Sequence, residues 1–164
     1  MPEQQTIQRA RNDAREGKSP STQAGEFVRE EFHHIREGKH GARSTKQAIA
    51  IGLSKARRAG VRLQPPASGR ASGKVRRQAE RDYARGQEGA PHPSRRRSRA
   101  VLGALKREGH AAASSRAISR QAHRAAQPRT RSQRLQAAHK AVRTKGRTGL
   151  SVAGRKAART RTPQ

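Results

Sequence analysis

The chain has 164 residues, with 39 Lys and Arg against 11 Asp and Glu, a formal net charge of +28 at pH 7. Leu, Ile, Val and Phe make up only about 12% of it, below the roughly 20% under which a highly charged chain lacks apolar surface to offset its conformational entropy. Cysteine is absent, so disulfides, thiol catalysis and thiolate metal sites are excluded. The opening MPEQQTIQRARND has no apolar core of a secretory signal, and the longest apolar run, AIAIGL at 48–53, is far too short to span a bilayer. A soluble, cytoplasmic protein is the expectation.

In chain order, the first feature is a repeated joint. REGKSPSTQAG at 15–25 and REGKHGARSTKQA at 36–48 share the same words. A basic residue in the last helical turn favours the negative end of the dipole, and a Gly at C′ closes the helix. A hydroxyl residue then caps the next one. Ser44 and Gln47 form a capping box, and in the first copy Ser19 or Thr22 serves. Arg107-Glu108-Gly109 repeats the stop. The joint predicts helices over about 3–16, 21–37 and 45–59. Gly17-Lys18-Ser19 has the last letters of a phosphate-binding loop, but position 12 is Asn, no strand precedes it and Pro20 follows. Without that context the letters do not make a nucleotide site.

Nine of the nineteen large aliphatic and phenyl side chains fall in 27–63. Val28, Phe32 and Ile35 make one stripe, with Phe27 at its edge and Glu31 between. Ile49, Leu53 and Ala56 make the facing stripe. A marginal helical head at 1–63 follows. QPPASGRASG at 64–73 reads as a linker. Residues 74–86 read as an isolated helix stopped by Gly86, and 87–94 as a second linker. The remaining 95–164 reads as an Ala/Arg-rich tail with helix-prone stretches at 95–108, 115–126, 132–145 and 151–159. Too few large apolar side chains occur there to hold a tertiary fold, and isolated helices of such length are marginal in water. The expected fold is therefore all-α: a small head of two to three short helices, then a largely disordered, helix-prone tail that firms up on phosphate.

The charge is uneven. Residues 1–64 carry net +6 and 65–93 net +3, whereas 94–164 carry 20 basic groups and a single acid, Glu108, for net +19. Such a field calls for a polyanion. Arginine outnumbers lysine 30 to 9, which suits forked contacts to phosphate. Ser and Thr interleave with Arg, as in Arg95-Arg96-Arg97-Ser98-Arg99 and Arg129-Thr130-Arg131-Ser132, and offer further phosphate donors. Phe27, Phe32 and Tyr83 are the only aromatic rings besides histidine, so base-stacking platforms are lacking and binding should be blind to sequence. The residues expected to contact nucleic acid are Lys39, Arg43, Lys46, Lys55, Arg57, Arg58 and Arg62 in the head. In the tail they are Arg95, Arg96, Arg97, Arg99, Arg129, Arg131 and Arg134. Glu30, His33 and Glu37 share one helix face, yet a mixed surface face of this kind is ordinary and no second cluster adds ligands. No metal, cofactor or catalytic residue is expected, and few carboxylates and no apolar cavity are available to shift a pKa for catalysis.

The run STKQAIAIGLSKARRAG at 44–60, preceded by EFVREEFHHIREGKHGAR, resembles a family of small basic bacterial proteins. That family is described as a domain of unknown function, sometimes as plasmid-stabilisation or DNA-binding proteins. The resemblance covers about residues 1–64 and implies DNA association in bacteria, with no site residues to carry over. The expected function is non-enzymatic, sequence-independent binding of double-stranded DNA in the nucleoid or in plasmid maintenance. RNA or the ribosome is the alternative, and a protein adaptor using the head, with the tail as electrostatic anchor, is the second. No membrane or small-molecule partner is expected, and the oligomeric state is open.

Overall fold

The computed structural model describes residues 2–89, 94–127 and 130–159. The chain forms two compact units, Met1–Gln121 and Ala122–Gln164. All regular structure among the described residues is helical: α1 (Gln4–Arg15), α2 (Pro20–Arg36), α3 (Thr45–Arg58), α4 (Gly73–Glu88), α5 (Arg95–Lys106), a 3-10 turn (Ala111–Ala113), α6 (Ser115–Ala126) and α7 (Arg131–Arg159).

The repeated joint closes its helices by the same hydrogen bonds each time. Gly17 N–H donates to Ala14 O (3.0 Å) and Lys18 N–H to Asp13 O (2.9 Å). Gly38 N–H donates to Ile35 O (3.2 Å) and Lys39 N–H to His34 O (3.0 Å). Gly60 and Val61 repeat the pair on Arg57 O and Ala56 O. These are Schellman motifs, and their C′ glycines have φ of 69°, 72° and 91°, where a side chain would be strained. After the second joint, Ser44 Oγ accepts from Gln47 N–H (3.2 Å), while Gln47 Oε1 accepts from Arg43 N–H (2.8 Å). The box thus closes one residue earlier than the usual pattern. Ser44→Ala is expected to lower stability by about 1 kcal/mol, read as a lower midpoint of thermal unfolding with nucleic-acid affinity unchanged. A large loss of affinity at unchanged helicity would contradict the capping role.

α2 and α3 pack antiparallel, and their interface is apolar at both ends and ionic between. At one end Ala24 and Phe27 meet Ala10 of α1 and Ala56 and Val61, with Ile7, Leu53 and Leu63 alongside. At the other, Ile35 meets Ala42, Ala48, Ala112 and Ala113, with Phe32 alongside. The buried line on α2 is Ala24, Phe27, Glu31 and Ile35, while Val28 and Phe32 are only half-buried. Glu31, expected to sit awkwardly in the stripe, is its centre. On α3 the buried positions are Thr45, Ala48, Gly52, Ala56 and Arg57 rather than Ile49 and Leu53. A Cβ on Gly52 would lie 2.7 Å from Val28 Cα, so small residues here set a close helix approach.

The expectation of a small head followed by a largely disordered tail is corrected: helices run through the whole described chain. For the segment around 105–113 the reason is that alanines and backbone groups do the packing that large side chains were expected to do, whereas α5 and α6 bury no residue. Gly41 N–H donates to Leu105 O (2.9 Å) and Ala42 N–H to Gly109 O (3.0 Å). Thr45 Oγ1 donates to Ala112 O (2.8 Å), and Arg36 Nε to Ala113 O (2.9 Å). Ala113 is fully buried. The third Arg-Glu-Gly stop is thereby docked onto the second. Ser72, Ser94, Ser114 and Thr130 each accept from the backbone N–H three residues on, so hydroxyls that read as phosphate donors include N-caps. Thr130 and Gln133 form a reciprocal box, both bonds 3.2 Å. In the second unit α7 is broken at Gly146 (φ 64°, ψ 173°), between the two helical stretches expected at 132–145 and 151–159.

The helix expected to stand alone at 74–86 packs against α3. Asp82, 2% exposed, accepts from the Ser54 hydroxyl and from Gln78 Nε2 (3.1 Å). The helix continues past Gly86 to Glu88, and Gly89 (φ 64°) ends it. Gly86 serves instead as a contact point, where a Cβ would meet Arg57 O at 1.8 Å. Residues 59–72 between α3 and α4 contain no helix.

Candidate nucleic-acid interface

The cations expected to meet phosphate divide into two sets. In the head, Lys55 reaches Glu31 Oε2 (2.7 Å) and Glu30 Oε1 (3.4 Å), both carboxylates buried. Arg57 is buried and donates through Nε to Leu63 O (3.1 Å), holding the chain reversal after Gly60. Burial pushes its pKa down, against an upward pull from Asp82. Arg58 lies 3.6 Å from Asp82 Oδ1 and donates to Ser54 O (3.3 Å). Lys39 pairs with Glu37 (3.0 Å) and Glu3 (3.2 Å), and its hydrogen bonds to Glu37 and then Glu3 raise its pKa. These four groups are tied into the fold. Arg43, Lys46 and Arg62 are exposed.

In the tail, Arg95, Arg96, Arg97, Arg99, Arg131 and Arg134 are all exposed. Arg129 lies outside the described residues. Arg95, Arg96 and Arg97 occupy the first turn of α5, behind the Ser94 cap. The helix dipole disfavours cations there and favours an anion. Sequence reading passed over a stripe on α6: Arg116, Arg120 and Arg124, all exposed and four residues apart. At 1.5 Å per residue their Cα atoms climb one face in steps of about 6 Å. The four-residue spacing was the available signal. Among the described residues the carboxylates that form ion pairs lie between Glu3 and Asp82, and beyond Glu108 the sequence has no Asp or Glu.

Gly17-Lys18-Ser19 is a helix joint in the structure. Lys18 Nζ is held by Asp13 (2.7 Å) and Glu16 (2.8 Å), and its hydrogen bonds to them raise its pKa. ATP titrated with magnesium at physiological salt is therefore expected to give no saturable binding that Ser19→Ala abolishes. Weak attraction that vanishes with added salt is ordinary screening of a polycation. Saturable, magnesium-dependent binding would contradict the joint.

The trio Glu30, His33 and Glu37 does not converge. Glu30 is buried and accepts from Glu3 N–H (3.1 Å), while the exposed His33 lies 3.5 Å from Glu37. A different set, Glu31, His34 and His40, does come together in the first unit. No helix among the described residues is long and apolar enough to cross a membrane.

No curated protein and no solved structure is similar to this chain. Residues 15–66, the segment that holds α2, α3 and both copies of the joint, match the model of a family of unknown function (DUF6496).

Proposed function

We propose that the protein binds double-stranded DNA without sequence preference, by neutralising phosphates, as a non-enzymatic nucleoid-associated or plasmid-maintenance protein of bacteria. The observation that carries this reading is the guanidinium stripe Arg116, Arg120 and Arg124 on α6, in a region with no carboxylate beyond Glu108. Three evenly spaced, exposed forks with no ion-pair partner among the described residues favour a linear polyanion over a compact one. The arginines opening α5 add to it, since a phosphate there relieves an unfavourable interaction with the helix dipole. Phe27 is buried and Phe32 half-buried in the core, and neither offers a ring for base stacking.

Affinity capture from bacterial lysate, with and without nucleases, tests the reading. DNase is expected to release the co-purifying partners. Release by RNase alone would assign the same surface to RNA, and partners indifferent to both nucleases would make the protein an adaptor.

A further inference from the structure

We propose that Glu31, His34 and His40 form a binding site for one divalent transition-metal cation of the zinc class. One ligand atom from each lies within 4.8 Å of the others. Glu31 is fully buried, and neither carboxylate oxygen has a hydrogen-bond partner. Lys55 Nζ stands 2.7 Å from Oε2, off the hydrogen-bonding direction, so Oε2 has its counterion and Oε1 does not. His40, 7% exposed, places Nδ1 3.1 Å from Gly41 O and Nε2 3.4 Å from Glu31 Oε1. A carbonyl oxygen only accepts, so Nδ1 carries a proton, and with no proton on Nε2 its lone pair faces a carboxylate lone pair. Two acceptors in that position need a proton or a cation between them. Their separation fits adjacent ligands of tetrahedral zinc, which stand roughly 3.3 Å apart for bonds of about 2.0 Å.

The second shell is also in place. The Gly41 carbonyl fixes the tautomer of His40, and Glu3 Oε1 lies 2.8 Å from His34 Nε2. Such partners orient metal-bound imidazoles. Of the three ligands, His34 alone lines an open surface depression of about 360 Å³, beside Glu3 and Lys39. Sequence alone hides the set: Glu31 and His34 share a face at i and i+3, but His40 joins them only after the Gly38 turn reverses the chain.

The test is titration of zinc alone into chelator-stripped, full-length protein, read by calorimetry and by bound metal after desalting. Cobalt(II) is the spectroscopic probe of tetrahedral coordination. One equivalent is expected, with His40→Gln and His34→Gln each weakening it at least tenfold and His33→Gln leaving it unchanged. Zinc should also raise the thermal midpoint of the unsubstituted protein and not of His40→Gln. Circular dichroism checks that each variant is folded. Should His40→Gln unfold, His34→Gln, nearer the surface, decides. No stoichiometric zinc, or equal loss in His33→Gln, would overturn the proposal and leave a proton as the bridge.

Discussion

Gly41→Ala is expected to loosen the 105–113 segment from the helical head and lower stability by about 3 kcal/mol. A Cβ at position 41 would stand 1.9 Å from Glu108 O and 2.7 Å from Gly109 O. Both are backbone atoms, and a flexible side chain is not there to give way. Relief requires the two strands of chain to separate, which breaks Gly41 N–H to Leu105 O and Ala42 N–H to Gly109 O. Each such bond contributes roughly 1 kcal/mol, and an orphaned buried donor costs more. Separation also uncovers Ala112, Ala113 and the face of Ile35 that they cover. Gly25 is the control. It lies inside α2 with nothing within 4 Å of its Cβ position, so Gly25→Ala should raise stability by up to about 1 kcal/mol. Chemical unfolding of the two variants reads the contrast. If Gly41→Ala behaved like Gly25→Ala, the docking of the third joint would be wrong.

That docking is also where sequence reading stopped short. The helix boundaries were legible, because Gly17, Gly38 and Gly60 and the Ser44–Gln47 box are local devices with local signatures. The tertiary role of the segment after α5 was not. Counting Leu, Ile, Val and Phe assigns no packing to Ala112 and Ala113, yet alanine suffices where backbones approach as closely as Gly41 and Glu108 do. A glycine that reads as a turn residue can be a contact surface, and only the partner chain segment distinguishes the two.

The candidate site shows the same limit from the charged side. Lys55, Arg57 and Arg58 read as nucleic-acid contacts from sequence, since a period of 3.6 sorts residues by face but not by what covers the face. Asp82 and buried Glu30 and Glu31 cover it here. The tail arginines were legible as a composition. Composition carries no arrangement, whereas the four-residue spacing of Arg116, Arg120 and Arg124 does. Capping by Ser94, Ser114 and Thr130 was equally readable, and would have marked the tail as helical rather than disordered.

Removing charge from the tail should have the largest effect on DNA affinity. Twenty of the 39 basic groups lie in 94–164. If half of them engage phosphates together, they contribute about nine units to the slope of log K against log salt, at about 0.9 per phosphate neutralised. Arg116, Arg120 and Arg124 together account for about 2.7 of those units if each meets one phosphate. Replacing the three by Gln should flatten the slope by that amount and leave the fold intact, since none of them is buried. Lys55→Gln should act in the opposite manner, costing stability by leaving Glu31 unpaired and changing the slope little.

The most direct measurement is the affinity of the full-length protein for two duplexes of unrelated sequence, titrated across a range of salt. The expected result is two superimposed, steep lines, with both flattened equally in the variant bearing Gln at 116, 120 and 124. A shallow slope, or lines displaced from one another by tenfold or more, would contradict binding by phosphate neutralisation and point to a surface that reads bases.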